Sequence, residues 1–148
     1  MTAESELAGF IAKFAPEMQR RIEACRDKMT ERFPAAVQLV YDNYNFLVIG
    51  FGPTPRASDA IFSLAAHARG INLCFLQRGP DLPDPTGILR GTGKRVRNVA
   101  LRTADDLDGP DVVALMEAAL DLASPKMDDS AGRELLIKSI SRKQRPRR

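Results

Sequence analysis

The stretch of sequence that decides the fold is VQLVYDNYNFLVIGF, residues 37–51. Residues 37–41 and 46–51 are rich in types that favour β-strands, and the residues between them favour turns. This pattern predicts a β-hairpin. Downstream, Ile71, Leu73 and Phe75 recur at every second position, which predicts another strand with one buried face. Apolar runs at 61–66 and 96–101 complete a predicted sheet of about five strands.

Amphipathic helices are expected before and after these strands. Residues 7–14 form an apolar stripe at helical spacing behind Thr2, which is placed to cap the first turn. Residues 16–33 and 110–123 form two more stripes, each of which begins at a proline and is followed by one. We therefore predict an α+β fold. In it, an antiparallel sheet is packed on one side by the N-terminal helix pair and by a C-terminal helix.

The length and the charge distribution predict one domain followed by a basic tail. The chain has 148 residues, 44% of them hydrophobic, which suits a single core. We place the α+β domain at residues 1–126 and the tail at 127–148, with a short strand over 134–140 that docks at the sheet edge. Residues 130–148 carry about six net positive charges against a formal net charge of +3 for the chain, so the remainder is mildly acidic.

The end of this tail predicts contact with a polyanion such as RNA or DNA. The cations concerned are Arg142, Lys143, Arg145, Arg147 and Arg148. The chain has no Trp and 6% aromatic residues, so few side chains are available for base stacking and the contact would be auxiliary. The alternative is a solvated terminus that only increases solubility.

The first residues and the two cysteines predict a cytoplasmic protein without a membrane partner. Glu4, Glu6 and Lys13 interrupt the start of the chain, which is atypical of a secretory signal, and no apolar run reaches the length of a membrane span. Cys25 and Cys74 lie far apart in apolar surroundings and lack the spacing of a zinc site. We interpret both as buried thiols in a reducing compartment.

A glycine-rich basic segment is the best candidate for a ligand site. Gly91 and Gly93 can adopt positive φ, so successive backbone amides can point at one anion, while Lys94, Arg95 and Arg97 supply positive charge. The segment is not a Walker loop, because Arg95 stands where that loop needs Ser or Thr. The alternative interpretation is a tight turn that leads into a strand.

The same segment carries a resemblance to a known family. The sequence GILRGTGKRVRNV at 87–99, followed by DDLD at 105–108, resembles the YdhG-like bacterial domain of unknown function. The sequences YDNYN at 41–45, FGP at 51–53 and ASDAIF at 57–62 resemble one branch of that family. The resemblance covers about residues 5–123 and implies an α+β sandwich with an antiparallel sheet. It carries over no catalytic residues.

Some relatives in that family are described as frataxin-like iron chaperones, which would imply weak iron binding on exposed carboxylates. The acidic candidates here are Asp105, Asp106, Asp108, Asp111, Asp128 and Asp129. Iron needs several oxygen or imidazole ligands that converge, and the chain has a single histidine beside a cationic cluster. The alternative is that these carboxylates serve helix N-termini or are solvated, and we assign neither a metal site nor a cofactor.

Two further residues are candidates for lining a pocket. His67 is the only histidine and lies at the end of a predicted strand, and Tyr44 lies in the predicted hairpin turn. Each is also explained as an ordinary hairpin residue, and we find no triad or carboxylate dyad that would support catalysis. We therefore predict a non-catalytic module that binds a small anion or a partner, with a homodimer through the hairpin edges as an open alternative.

Overall fold

The computed structural model describes residues 1–128 and 132–148. Within these residues the chain forms three α-helices: α1 (Ala3–Ile11), α2 (Pro16–Arg32) and α3 (Pro110–Leu122). It also forms six strands: β1 (Val37–Asp42), β2 (Leu47–Gly52), β3 (Phe62–His67), β4 (Gly70–Phe75), β5 (Arg97–Leu101) and β6 (Leu135–Ile140). The strands make one sheet in the order β5-β4-β3-β2-β1-β6. The α+β class is therefore confirmed.

The sheet is mixed, and the prediction of about five antiparallel strands is wrong in this respect. Strands β1 to β5 pair with their sequence neighbours in antiparallel fashion, whereas β6 pairs with β1 in parallel. The chain reaches β6 after the long connection that includes α3, and such a connection permits a parallel pair where a hairpin does not. The sixth strand is the segment that we expected to dock at the edge.

One face of the sheet forms the core with the helices. Val40, Ile49, Leu64, Leu73 and Val99 lie in register across five strands and are all buried. The buried residues of all three helices belong to the same apolar cluster. In β4 buried and half-buried residues alternate, as the period of two at Ile71, Leu73 and Phe75 predicted.

An aromatic row lies beside that layer on the same face. Phe51, Phe62 and Phe75 are paired across β2, β3 and β4, and Phe33 stacks on Phe62 with ring centroids 5.1 Å apart. Phe33 follows the last residue of α2, so this stacking fixes the end of that helix against the sheet. Phe62 and Phe75 make an edge contact at 6.0 Å, a geometry that aromatic pairs favour.

The connection after β2 folds back against its own strand. A Cβ atom added at Gly52 would lie 2.8 Å from the Cα of Ala60, so only glycine permits this close approach. The same connection is also bound from β6, where the Nζ of Lys138 donates to the backbone oxygen of Pro55 at 3.2 Å. The connection over residues 53–60 is thus held between β2 and β6.

Helix ends follow the sequence signals with one exception. Thr2 caps α1 in a reciprocal pair of hydrogen bonds with Ser5, and Pro16 and Pro110 occupy the first turns of α2 and α3. Thr103 precedes a short 3-10 helix over 104–108, where a capping side chain is common, but it makes no capping bond. Among the described residues, no helix has the length and apolar character needed to cross a membrane.

Candidate functional site

The glycine-rich basic segment forms an exposed turn at the β5 edge of the sheet, which we call the cationic turn (residues 90–97). Gly91 has φ +104°, a conformation that favours glycine, as the sequence predicted. Gly93 does not share this positive φ. Arg90 pairs with Asn98 through two backbone hydrogen bonds of 2.7 and 3.0 Å, which ties the start of the turn to β5.

A neighbouring glycine, which sequence reasoning missed, holds the other end of the turn. The amide of Gly79 donates to the oxygen of Arg95 at 2.8 Å. A Cβ atom at Gly79 would lie 2.6 Å from the Cγ of Arg97 and 2.8 Å from that same oxygen. The Gly79-Pro80 pair signals a turn in the sequence, but nothing local to it reveals that the turn packs against residues 95–97.

The cationic turn has no acidic partner. Within the described residues, Arg90, Lys94, Arg95 and Arg97 make no ion pair. The Nε of Arg97 donates to the oxygen of Gly93 at 3.1 Å, which folds the turn without neutralising its charge. In contrast, Arg26, Lys28 and Arg32 of α2 all face carboxylates. Positive charge is therefore left uncompensated at this turn.

The backbone of the turn also leaves donors free. No hydrogen bond within the described residues uses the amides of 92–96 as donors, and residues 91–96 are all exposed. Free amides next to cations form a surface that attracts anions. Lys94 and Arg95 lie before β5 begins at Arg97, so they are presented by the turn and not by alternate faces of a strand.

A cleft of about 490 Å³ lies beside the turn, between β5 and the start of α3. Its lining includes two arginines, Arg90 and Arg102, and three aspartates, Asp105, Asp106 and Asp111. Asp106 accepts a hydrogen bond from the amide of Arg102 at 2.8 Å, and its carboxylate lies 3.8 Å from the guanidinium of the same residue. The cleft is thus of mixed charge, and Arg90 is its connection to the cationic turn.

The structure separates His67 from the cationic turn. His67 closes the β3–β4 hairpin opposite Gly70, whereas Arg97 lies opposite Phe75 at the other end of β4. His67 instead lines a shallow groove of about 330 Å³ with Asn45, Phe46, Asn72 and Arg145. Its Nδ1 accepts a hydrogen bond from the amide of Arg69 at 3.3 Å.

Tyr44 does not line that groove. It is exposed in the β1–β2 turn, where the guanidinium of Arg145 lies 5.6 Å from the centre of its ring. The residues expected to line a ligand pocket are therefore divided: the five of the glycine-rich segment lie together, and Tyr44 and His67 lie elsewhere.

The end of the tail is packed against the domain, which the charge pattern of the sequence did not predict. Arg147 is buried and donates to Asp42 at 3.1 Å and to the oxygen of Asn43 at 2.7 Å. Arg148 donates to the oxygens of Ala12 and Lys13 after the C-terminus of α1, where a cation is favourable.

The Nε of Arg145 is bound to Asn45 at 2.8 Å, while Arg142 and Lys143 are exposed and make no ion pair within the described residues. Of the five cations, Arg142 and Lys143 are therefore the two that remain available to contact a polyanion.

The carboxylate of Asp42, to which the tail is bound, is fully buried. Lys13 donates to Oδ2 of Asp42 at 2.7 Å, whereas Arg147 donates to Oδ1. Burial alone would raise the pKa of Asp42, but the hydrogen bonds from Lys13 and Arg147 outweigh it and hold that pKa below its ordinary value. The tail therefore completes an ion-pair cluster in which Arg147 lies 105 positions after Asp42 in the sequence.

The acidic residues considered for iron are mostly engaged with cations. Asp108 pairs with Lys28 and Arg32, and Asp105 lies 3.7 Å from Lys28. Over residues 1–128 and 132–148, no group of three His, Cys, Asp or Glu residues is arranged to hold a metal ion. Asp129 lies outside the described residues.

Both cysteines are shielded thiols. Burial raises the pKa of Cys25 to about 11, and burial also raises the pKa of the half-buried Cys74. Neither cysteine has the lowered pKa that an activated thiol nucleophile requires. Comparison of the chain with protein-family models, curated proteins and solved structures finds no match.

Proposed function

We propose that this chain is a binding module, without catalytic activity, that takes a small phosphate- or carboxylate-bearing ligand at the cationic turn. The observation that carries the proposal is the lack of any carboxylate partner for Arg90, Lys94, Arg95 and Arg97 among the described residues. Like charges that lie close together without counter-charges repel each other, and a bound anion relieves that repulsion.

The backbone supports the same interpretation. The free amides of 92–96 supply donors of fixed direction, and anchoring by Gly79 and Asn98 limits the motion of the turn. A preformed surface loses less conformational entropy on binding than a disordered segment does. The mixed-charge cleft beside Arg90 offers room for the uncharged or basic part of such a ligand.

The test uses inorganic pyrophosphate as the probe, with titration calorimetry at low salt. The double variant Lys94→Gln/Arg95→Gln removes two exposed cations whose side chains make no hydrogen bond or ion pair within the described residues, so it should weaken binding by on the order of tenfold without unfolding the chain. The matched control is Arg56→Gln/Arg69→Gln, which removes two exposed cations elsewhere that also form no ion pair within the described residues.

The two double variants have the same net charge, so they distinguish a local site from the overall field of the protein. Unchanged affinity in the Lys94/Arg95 variant, or an equal loss in the control, would show that the cationic turn is not the site. Arg97 is left in place because its stem packs against Gly79 and its loss would disturb the turn itself.

We further propose that the chain is a cytoplasmic member of the YdhG-like bacterial domain family, on the residues that carry the resemblance. The frataxin-like iron function has less support, because Lys28, Arg32 and Arg102 already occupy several of the candidate carboxylates. Contact of the tail with nucleic acid rests on Arg142 and Lys143 once the packed arginines are set aside.

A further inference from the structure

The two edges of the sheet differ in how they are closed. At the β5 edge, the backbone of Asn98 is already paired with Arg90. At the β6 edge, strand Leu135–Ile140 pairs with β1 on one side and with no other described strand on the other. An edge strand of this kind presents a row of unpaired amides and carbonyls, which is a template for pairing with another strand.

The charge that could protect the open edge of β6 is turned away from it. The cation of the strand, Lys138, is the extra residue of a bulge opposite the Val40/Tyr41 step. Its ammonium is directed back to the oxygen of Pro55, so it does not guard the open side. Ile140 is 52% exposed although it is a large aliphatic residue. Burial of such a side chain favours association.

The charges at the two ends of β6 are complementary to each other. Glu134 precedes the strand, Arg142 and Lys143 follow it, and all three are exposed without an ion pair in the described part of the chain. A second β6 in antiparallel orientation brings each acidic end beside the basic end of the other. A parallel orientation would instead bring like charges together, so the sequence selects the antiparallel one.

We propose that β6 pairs with β6 of a second copy of this chain, antiparallel about a two-fold axis, so that two six-stranded sheets join into one. The register places Ile137 of each copy opposite Ile140 of the other. Both residues lie on the helix-covered face, because they pair with Val40 and Asp42 of β1. The same register brings Glu134 of each copy close to Lys143 of the other. The interface is isologous, since one patch serves both copies.

Sedimentation velocity of the full chain over a range of micromolar concentrations tests the association. We expect a reversible dimer, and Ile140→Lys should raise its dissociation constant by tenfold or more. The matched control is Val96→Lys, which places the same charge at an aliphatic residue that is 42% exposed at the opposite edge, and it should leave the dimer unchanged. Circular dichroism verifies that both variants are folded.

A charge exchange tests the register. Glu134→Lys and Lys143→Glu should each weaken the dimer by on the order of tenfold, because the contact occurs twice about the axis. The double variant Glu134→Lys/Lys143→Glu should restore the affinity of the parent chain.

A chain that stays monomeric at all concentrations overturns the proposal, as does a dimer that Ile140→Lys leaves intact. A double exchange that remains as weak as the single variants overturns the register. All of these outcomes are independent of pyrophosphate binding.

Discussion

The guanidinium of Arg147 donates to the carboxylate of Asp42 at 3.1 Å, and both side chains are almost completely buried. The guanidinium also lies 5.8 Å from the centre of the Phe14 ring, so it contacts the connection between α1 and α2 as well as the β1–β2 hairpin. Its Nε is buried and has no partner within the described residues. Such a pair costs desolvation energy when it forms, and loss of one member leaves the other charge uncompensated.

Arg147→Met should therefore destabilise the fold by about 3 kcal/mol, because it retains the apolar stem but leaves Asp42 with Lys13 alone. For a chain of this size, that loss lowers Tm by about 6 to 12 °C. Arg142→Met is the matched control, since Arg142 is exposed and makes no ion pair in the described residues. Thermal unfolding followed by circular dichroism measures both, and equal Tm values would show that the Arg147–Asp42 pair does not contribute to stability.

Acid should weaken the fold through the same carboxylate. The pKa of Asp42 is below its ordinary value of 3.8 in the folded chain, so below pH 3.8 the unfolded state takes up a proton more readily than the folded state. The stability that Asp42 contributes is therefore fully present above that pH and is lost as pH falls through the folded pKa. The free energy of unfolding, measured with urea from pH 7 to pH 3, should fall less in Asp42→Asn/Arg147→Met than in the parent chain.

Gly79→Ala should disturb the cationic turn as well as lower stability. The added methyl would meet Arg97 and the oxygen of Arg95, and such overpacking costs about 1 to 3 kcal/mol. Gly9→Ala is the control, because a Cβ at Gly9 in α1 meets nothing within 4 Å. That change should stabilise the chain by about 0.5 to 1 kcal/mol. Urea unfolding measures the change in the free energy of unfolding for each variant. Changes of opposite sign would agree with this packing, and changes of the same sign would contradict it.

Cys25 should react slowly with an aromatic disulfide reagent in the folded chain. Its pKa of about 11 leaves little thiolate at pH 8, and its side chain is buried in α2. Reaction in denaturing urea should be far faster at the same pH. The variant Cys74→Ser isolates the signal of Cys25, and a fast reaction of that variant in native buffer would show that α2 opens readily.

The sequence predicted elements well where the signal is local. The hairpin at residues 37–51, the alternation of Ile71, Leu73 and Phe75, and the prolines that begin α2 and α3 all depend on neighbours in the chain. The glycines of the cationic turn are also a local signal, and Gly91 adopts the positive φ that they predicted.

Long-range partners were not predictable in the same way. The charges of the tail suggested a solvated end, since nothing in the sequence links Arg147 to Asp42 across 105 positions. The parallel pairing of β6 depends on where the connection through α3 returns, and the contact of Gly79 with Arg97 depends on how the excursion before residue 90 folds back. These features arise from tertiary packing, which periodicity and composition do not encode.

The strand order places the cationic turn and the open edge at opposite limits of the sheet. A dimer joined through β6 would therefore carry its two turns about 50 Å apart, since eleven strand spacings separate the outer strands. A compact ligand cannot reach both turns at that distance. A long polyanionic chain can, and it would gain avidity from the divalent particle, whereas a single phosphate would bind each turn independently.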